Sequence, residues 1–306
     1  MAHTIRMTTV QLPAELAGSS PKAKKKKNLT LIESQLKRAG EASSDLVLFA
    51  EYANLWHRGT SNVKKNYQPD TIDAPVVQLV RSYAERYRMN IVFPMLASID
   101  GITGSTCLLI DRNGEPTGSY RKCHPTIAEQ KFGITAGADI SVYTLDCARV
   151  GIMTCMDIEY PETAQTLMVK GAELLLFPHV QAGWGEIDWE IRMRARAIDT
   201  GLVLVSACYG YGEGEWKPGK MIGRSGVIGR DGTIISDLGR GIGASTVDVD
   251  LDAKRVTHFF FEKQFERTLA VLASRRPELY RALVSTHERD DALKKLQKQS
   301  RRAKKG

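Results

Sequence analysis

At 306 residues, with 42% hydrophobic and 25% charged side chains, the chain has the composition of a globular protein large enough for a substantial core. Its formal charge of +8 is local: residues 22–27 hold five Lys and residues 294–306 hold seven Lys or Arg, with no acid in either, and the remainder carries 31 basic against 35 acidic residues. Contact with nucleic acid or a membrane surface would therefore rest on those two segments alone, which read as a solvated helix end and a frayed terminus. No apolar run reaches the roughly 18 residues of a membrane span, and MAHTIRMTTVQL lacks the apolar core of a signal peptide.

Thr4 to Leu12 alternates as a first strand, and Pro13 to Pro21 reads as a loop. Lys22 to Arg38 carries a helical stripe at Leu29, Ile32 and Leu36, stopped by Gly40. Asp45 to Ala50 is a compact apolar strand that delivers Glu51. A helix follows over Ala74 to Tyr87. Strands over Ile91–Ser98 and Ser105–Asp111 pair around Asp100-Gly101, and Arg112 to Glu115 turns the chain into a strand over Thr117–Tyr120, which delivers Arg121-Lys122. Cys123 to Asp139 has no clear period and reads as a loop.

Val150 to Met153 is a short β-branched apolar strand that ends at Cys155. Pro161-Glu162 then opens a helix through Val169. Apolar strands over Ala172–Phe177 and Leu202–Ala207 flank a helix over Glu186–Asp199. Gly210 to Gly219 reads as a mobile loop, since its glycines lack the strand-to-helix context of a phosphate cradle. Ser225 to Ile235 is a hairpin, Ala244 to Leu251 a last strand, and the chain from Glu262 onward is helical. Strands alternate with helices, interrupted by hairpins, which implies sheets with helices outside. There is no internal repeat or low-complexity linker.

The five cysteines are odd in number and form no CxxC pair. That argues against a disulfide framework or zinc site and for a reducing cytoplasm. Cys107, Cys147 and Cys208 lie in strand patterns and read as core. Cys155 differs, because it stands where a strand gives way to a turn and a helix. Such a junction exposes a thiol above a sheet edge among free backbone N–H groups. Two further strands end in reactive side chains, Glu51 and Lys122. A carboxylate can take a thiol proton, a thiolate can attack a carbonyl or nitrile carbon, and an ammonium can stabilise the charge that develops. His124 and His179 could pair with Cys155 as in a Cys–His protease, but Glu51 already supplies a base, and both read as ordinary polar histidines in that respect.

Glu51 in LVLFAEYANLW, Lys122 in YRKCHPTIAEQ and Cys155 in GIMTCMDIEYPE resemble, in order and strand-end context, the Glu, Lys and Cys motifs of the nitrilase, or carbon–nitrogen hydrolase, superfamily. The resemblance runs from about Ile5 to Leu251 and includes RARAIDTGLVLVSACYG and GRSGVIGRDGTII. It implies an α-β-β-α sandwich, with Glu51 as general base, Lys122 as transition-state stabiliser and Cys155 as nucleophile. It further implies that Glu129, seven residues after Lys122, is a second carboxylate that holds Lys122 and helps position substrate. No metal or cofactor is implied, and the expected partners are a small amide, carbamoyl or nitrile substrate and a second copy in a homodimer or larger homo-oligomer. Residues 1–261 would form the hydrolase domain and 262–306 a helical extension with the basic tail.

Tyr52 and Trp56 follow Glu51 and could line the pocket or pack in the core; His179, Gln181 and Trp184 follow a strand and could line the pocket mouth or lie on the surface. Two motifs point to different substrates. RKCHPTIAEQKFG is similar to the true-nitrilase branch, whereas Met156, where true nitrilases carry Trp, and MDIEYPE are more similar to amide- and carbamoyl-hydrolysing branches. Asp199-Thr200 replaces the family's Glu-Asn, which puts the usual ion pair with Arg196 in doubt.

Overall fold

The computed structural model describes residues 3–55, 68–181, 185–253, 256–258 and 264–284, with the single positions 292 and 295. The chain divides into two compact units, 1–255 and 256–306.

The first unit is built on two six-stranded sheets. In one, the order is β12 (Gly243–Asp250), β1 (Thr4–Gln11), β2 (Leu46–Leu48), β3 (Asn90–Ile99), β4 (Ile102–Ile110) and β5 (Pro116–Arg121). In the other it is β11 (Ile234–Asp237), β10 (Gly226–Ile228), β9 (Val203–Ala207), β8 (Leu174–Pro178), β7 (Arg149–Ile152) and β6 (Val142–Thr144). The centre of each sheet is parallel: β1, β2 and β3 in the first, β7, β8 and β9 in the second. Parallel strands need crossover helices. Here α1 (Pro21–Glu41) and α2 (Pro75–Tyr87) pack together on the first sheet, and α4 (Pro161–Val169) and α5 (Gly185–Thr200) on the second. The inner faces meet where β1 and β2 lie against β9. The result is the expected α-β-β-α sandwich, and the central strands are apolar on both faces because both are covered: every residue of β2, β8 and β9 is buried.

Local chemistry explains the helix starts. Ser20 caps α1 by accepting from the Ala23 N–H, and Pro21, Pro75 and Pro161 each open a helix, where a missing N–H costs nothing. The segment expected as a loop between Cys123 and Asp139 contains a short helix, α3 (Ile127–Lys131). A reciprocal box holds it: the Glu129 N–H donates to Thr126 Oγ1, and the Thr126 N–H to Glu129 Oε2. The glycine-rich stretch 210–219 runs through turns, and the Arg240 guanidinium carbon lies 3.5 Å from the Trp216 ring centroid. Of the second unit, β13 (Val256–His258) pairs antiparallel with β14 (Gln264–Glu266), and α6 spans Arg267–Ala273. Helix from Glu262 onward is thus corrected: residues 264–266 are held extended by pairing with 256–258, and helix begins only at Arg267. The expected domain boundary at 261 lies outside the described residues.

One buried side chain links the sheets. Gln11, at the end of β1, donates to Gly239 O (3.0 Å) and Gly241 O (2.5 Å), and its carbonyl accepts from Ser225 N (2.7 Å) and Ser225 Oγ (2.6 Å), just ahead of β10. Gln11→Leu keeps the volume but takes away the partner of the Ser225 N–H and of the Gly241 carbonyl, while Gly239 O keeps the Arg224 N–H and Ser225 Oγ keeps Cys208. We expect a loss of about 2–4 kcal/mol, read as a lower denaturant midpoint at unchanged slope.

Candidate active site

The parallel strands carry their C-terminal ends to the region where the reactive groups sit, as open α/β sheets do. Glu51 follows β2, Lys122 follows β5 and Cys155 follows β7. Glu51 is completely buried and Lys122 is 1% exposed. The Lys122 Nζ lies 3.0 Å from Glu51 Oε1 and 3.0 Å from each carboxylate oxygen of Glu129. The three residues thus form one buried cluster, with an ammonium between two carboxylates.

The two carboxylates differ in their surroundings. Glu129 receives Lys122, the Thr126 N–H at 2.6 Å and the Tyr52 hydroxyl at 2.5 Å. Burial alone would raise its pKa, but Lys122 and these donors hold it below the ordinary carboxylate value. Glu51 receives Lys122 and the Ser105 hydroxyl, at 2.9 Å, on Oε1 only; its Oε2 is buried without a hydrogen-bond partner among the described residues. Burial pushes Glu51 up to about 7 in spite of Lys122, and the nearby charge of Glu129 adds to the rise. Glu129 therefore stays charged and fixes the ammonium, while Glu51 is poised to exchange a proton. Burial would lower Lys122, but Glu51, Cys155 and Glu129 outweigh it and keep the ammonium protonated.

Cys155 opens a 3₁₀ turn (Cys155–Glu159) with φ +46°, a left-handed conformation that costs an L residue about 1–2 kcal/mol. Burial pushes its thiol well above the usual range, Glu51 adds to the rise, and Lys122 and the Val180 N–H oppose it. At rest Cys155 is thus a thiol rather than a thiolate.

Tyr52 is also left-handed, at φ +62°, and buried. Its hydroxyl reaches Glu129, and its ring belongs to an apolar cluster with Leu55, Leu96 and Ile134, against which Val180 packs. His179 is fully buried: its Nε2 lies 3.1 Å from Ser206 Oγ, its ring stacks on Phe177, and burial lowers its pKa to about 3. A ring so enclosed is not at the surface. Gln181 is nearly buried, with its carbonyl receiving the Ile222 N–H. Trp56 and Trp184 lie outside the described residues. His124 bonds Asp157, with Nδ1 2.8 Å from Oδ1. Cys107, Cys147 and Cys208 are buried, as expected of core thiols. Arg196 keeps an acid contact despite the change to Asp199, at 3.9 Å, and its guanidinium also holds the Ile158 carbonyl at 2.9 Å, inside the turn that Cys155 opens. Sequence reasoning missed Ser105 and Tyr209, whose hydroxyl donates to the Glu51 carbonyl at 2.7 Å. Neither has a local signal, because each meets Glu51 only through the fold.

The carbon-nitrogen hydrolase family model matches residues 6–259. The chain belongs to the carbon–nitrogen hydrolase family. This hydrolase is 28% identical over 274 residues to the "Probable nitrilase" of Schizosaccharomyces pombe, covering 85% of this chain and 93% of that one. It is 29% identical over 276 residues to the citrullinase of Francisella tularensis, covering 84% and 92%. Its fold is similar to that of an amidase from Nesterenkonia sp., with TM-score 0.73 at 25% identity over 92% of this chain and 97% of that one. A variant of that amidase has been solved with the acetamide moiety of fluoroacetamide covalently added at its active-site cysteine. The carbon–nitrogen hydrolase described here is thus an enzyme with an amidase-type fold.

The position of Glu51 makes a pH statement. Were Glu51 the base of the reaction, it would have to be unprotonated to act, and kcat/KM on any amide turned over should then fall about tenfold per unit as pH drops below about 7. A profile flat down to pH 5 would remove Glu51 from that role.

Proposed function

We propose that this hydrolase cleaves a small amide or carbamoyl compound through a thioester on Cys155. The reading is carried by one observation: the ammonium of Lys122 is fixed by Glu129 and bonded to one oxygen of Glu51, which leaves the other Glu51 oxygen uncommitted. Glu51 takes the thiol proton as sulfur attacks the carbonyl carbon. Lys122 stabilises the oxyanion, and the proton passes from Glu51 to the leaving nitrogen. Ammonia or an amine departs and the thioester remains. Water then attacks it, Glu51 accepts the water proton, and the thiolate takes a proton back as the acid is released. Glu129 keeps the Lys122 head in place throughout, and Tyr52 steadies Glu129.

The amide reading is favoured by Met156 and the MDIEYPE motif, and by the citrullinase and amidase names among the relatives. The second reading is a nitrilase, supported by Pro125-Thr126 with Glu129 and by one relative's name. It uses the same four residues but adds two waters. Ammonia release over a panel of amides paired with the corresponding nitriles decides between them. A homodimer or larger homo-oligomer and a cytoplasmic setting accord with this reading, the latter with the five free thiols. The basic segments have no part in it, and binding of nucleic acid through them would appear as salt-sensitive affinity.

Cys155→Ala should abolish turnover and leave the folded state intact; activity above a few per cent of wild type would overturn the nucleophile assignment. Glu129→Gln keeps shape and an acceptor but removes the charge, so Lys122 loses its anchor. We expect kcat to fall about 10²–10³-fold, as when a transition-state donor is lost, with KM changed little. Wild-type kcat in the folded variant would show that another group holds Lys122.

A further inference from the structure

We propose that Asp157 is a positioning residue that sets the placement of the Cys155 sulfur relative to the Lys122 ammonium. The inference rests on the roles proposed above for those two residues.

Asp157 is completely buried, two residues after the nucleophile. A carboxylate in such a place needs donors, and the structure provides four. Oδ2 receives the Tyr120 hydroxyl at 2.7 Å and the Thr154 N–H at 2.8 Å. Oδ1 receives the His124 N–H at 2.9 Å and lies 2.8 Å from His124 Nδ1. No lysine or arginine is among these partners, so the group is held by these hydrogen bonds rather than by a permanent cation. Their origins are what matters. Thr154 immediately precedes Cys155, and the Asp157 N–H returns a bond to the Thr154 carbonyl at 3.0 Å. That exchange closes the turn in which Cys155 is left-handed. Tyr120 and His124 stand two residues before and two after Lys122. They come from the other sheet's edge strand and the segment that leaves it. One carboxylate therefore grips both flanks of the stabilising lysine and the turn that bears the thiol.

The geometry excludes a passive substitute. An Asn at 157 replaces one oxygen with an NH₂ group. In one orientation that group faces the Thr154 N–H, and in the other it faces the His124 N–H. Either way two donors oppose each other at a backbone amide, and one side of the grip opens. Misplacement by about 1 Å in a site of this kind costs about 10²-fold in rate. A further support lies outside the carboxylate: the His124 ring stacks on Tyr160, 3.9 Å between centroids, which holds the imidazole against Asp157 from the exposed side.

The test measures the rate at which iodoacetamide alkylates Cys155, on a background lacking the other four cysteines, together with kcat and KM on an amide substrate. If Lys122 acts on the sulfur, Lys122→Ala slows alkylation. In the positioning scheme Asp157→Asn slows it by a comparable factor, about 10²-fold, lowers kcat with little change in KM, and makes Lys122→Ala without further effect in the double variant. Independent loss of stability would instead make the two effects multiply, and that result overturns the proposal, as does wild-type alkylation in Asp157→Asn. If Asp157→Asn does not fold, Tyr120→Phe removes one bond and keeps the carboxylate. It should slow alkylation several-fold, again only while Lys122 is present, and no slowing overturns the proposal. If Lys122→Ala itself leaves the rate unchanged, the assigned role of Lys122 fails and this inference fails with it; if only the Asp157 and Tyr120 variants behave as wild type, the positioning role alone is lost.

Discussion

An ammonium buried between two carboxylates can be stable only as a set. Removing Lys122 would leave two negative charges facing each other in a medium of low dielectric, and removing either acid would change the balance of the remaining pair. With all three present the cluster carries one net negative charge, and its burial must be relieved somewhere. Glu129 has a backbone donor and the Tyr52 hydroxyl in addition to Lys122, so it keeps its charge. Glu51 has fewer donors and no exposure, so the strain of burial shows there as a readily accepted proton. The unequal supply of hydrogen bonds thus pushes the pKa values of two chemically identical side chains apart, as the proposed roles of support and proton carrier require.

Much of this was legible in the sequence because two of the strands that carry the reactive residues, β2 and β7, are short, apolar and sharply bounded, while the polar β5 is read from the hairpin turn ahead of it. Buried parallel strands announce themselves as β-branched runs, and Glu51, Lys122 and Cys155 each stand within three residues of a strand end. The helix around Glu129 was harder. At five residues it has no period to read, yet its start was written as Thr126-Ile127-Ala128-Glu129, a capping-box spacing that could have revealed it. The reading of Glu129 as an acid near Lys122 rested on resemblance, and the helix supplies the physical reason for its orientation.

Other features had no local signal. Tyr52 could be pocket or core from sequence, and it is a core ring with its hydroxyl on a site carboxylate. Ser105 and Tyr209 reach Glu51 across 54 and 158 residues of chain, distances over which no spacing rule operates. Nothing in the strand-end position of His179 told that its ring would be fully buried, bonded to Ser206 and stacked on Phe177. In the second unit the helical pattern began a few residues too early on paper, because a three-residue strand is fixed by its partner rather than by its own composition.

The Tyr209 hydroxyl has a mechanical meaning. Tyr209 continues from β9 of one sheet, while Glu51 leaves β2 of the other, and the bond joins them across the sandwich. Glu51, the proposed base, is therefore moored to both slabs of the molecule. Sliding of one slab over the other, under hydrostatic pressure or on approach to the melting transition, would drag the carboxylate out of line before either slab lost its own ladder of bonds. Turnover in this enzyme is in that sense a strain gauge for the interface between its halves, and it would go silent while spectroscopic signatures of the sheets still looked native.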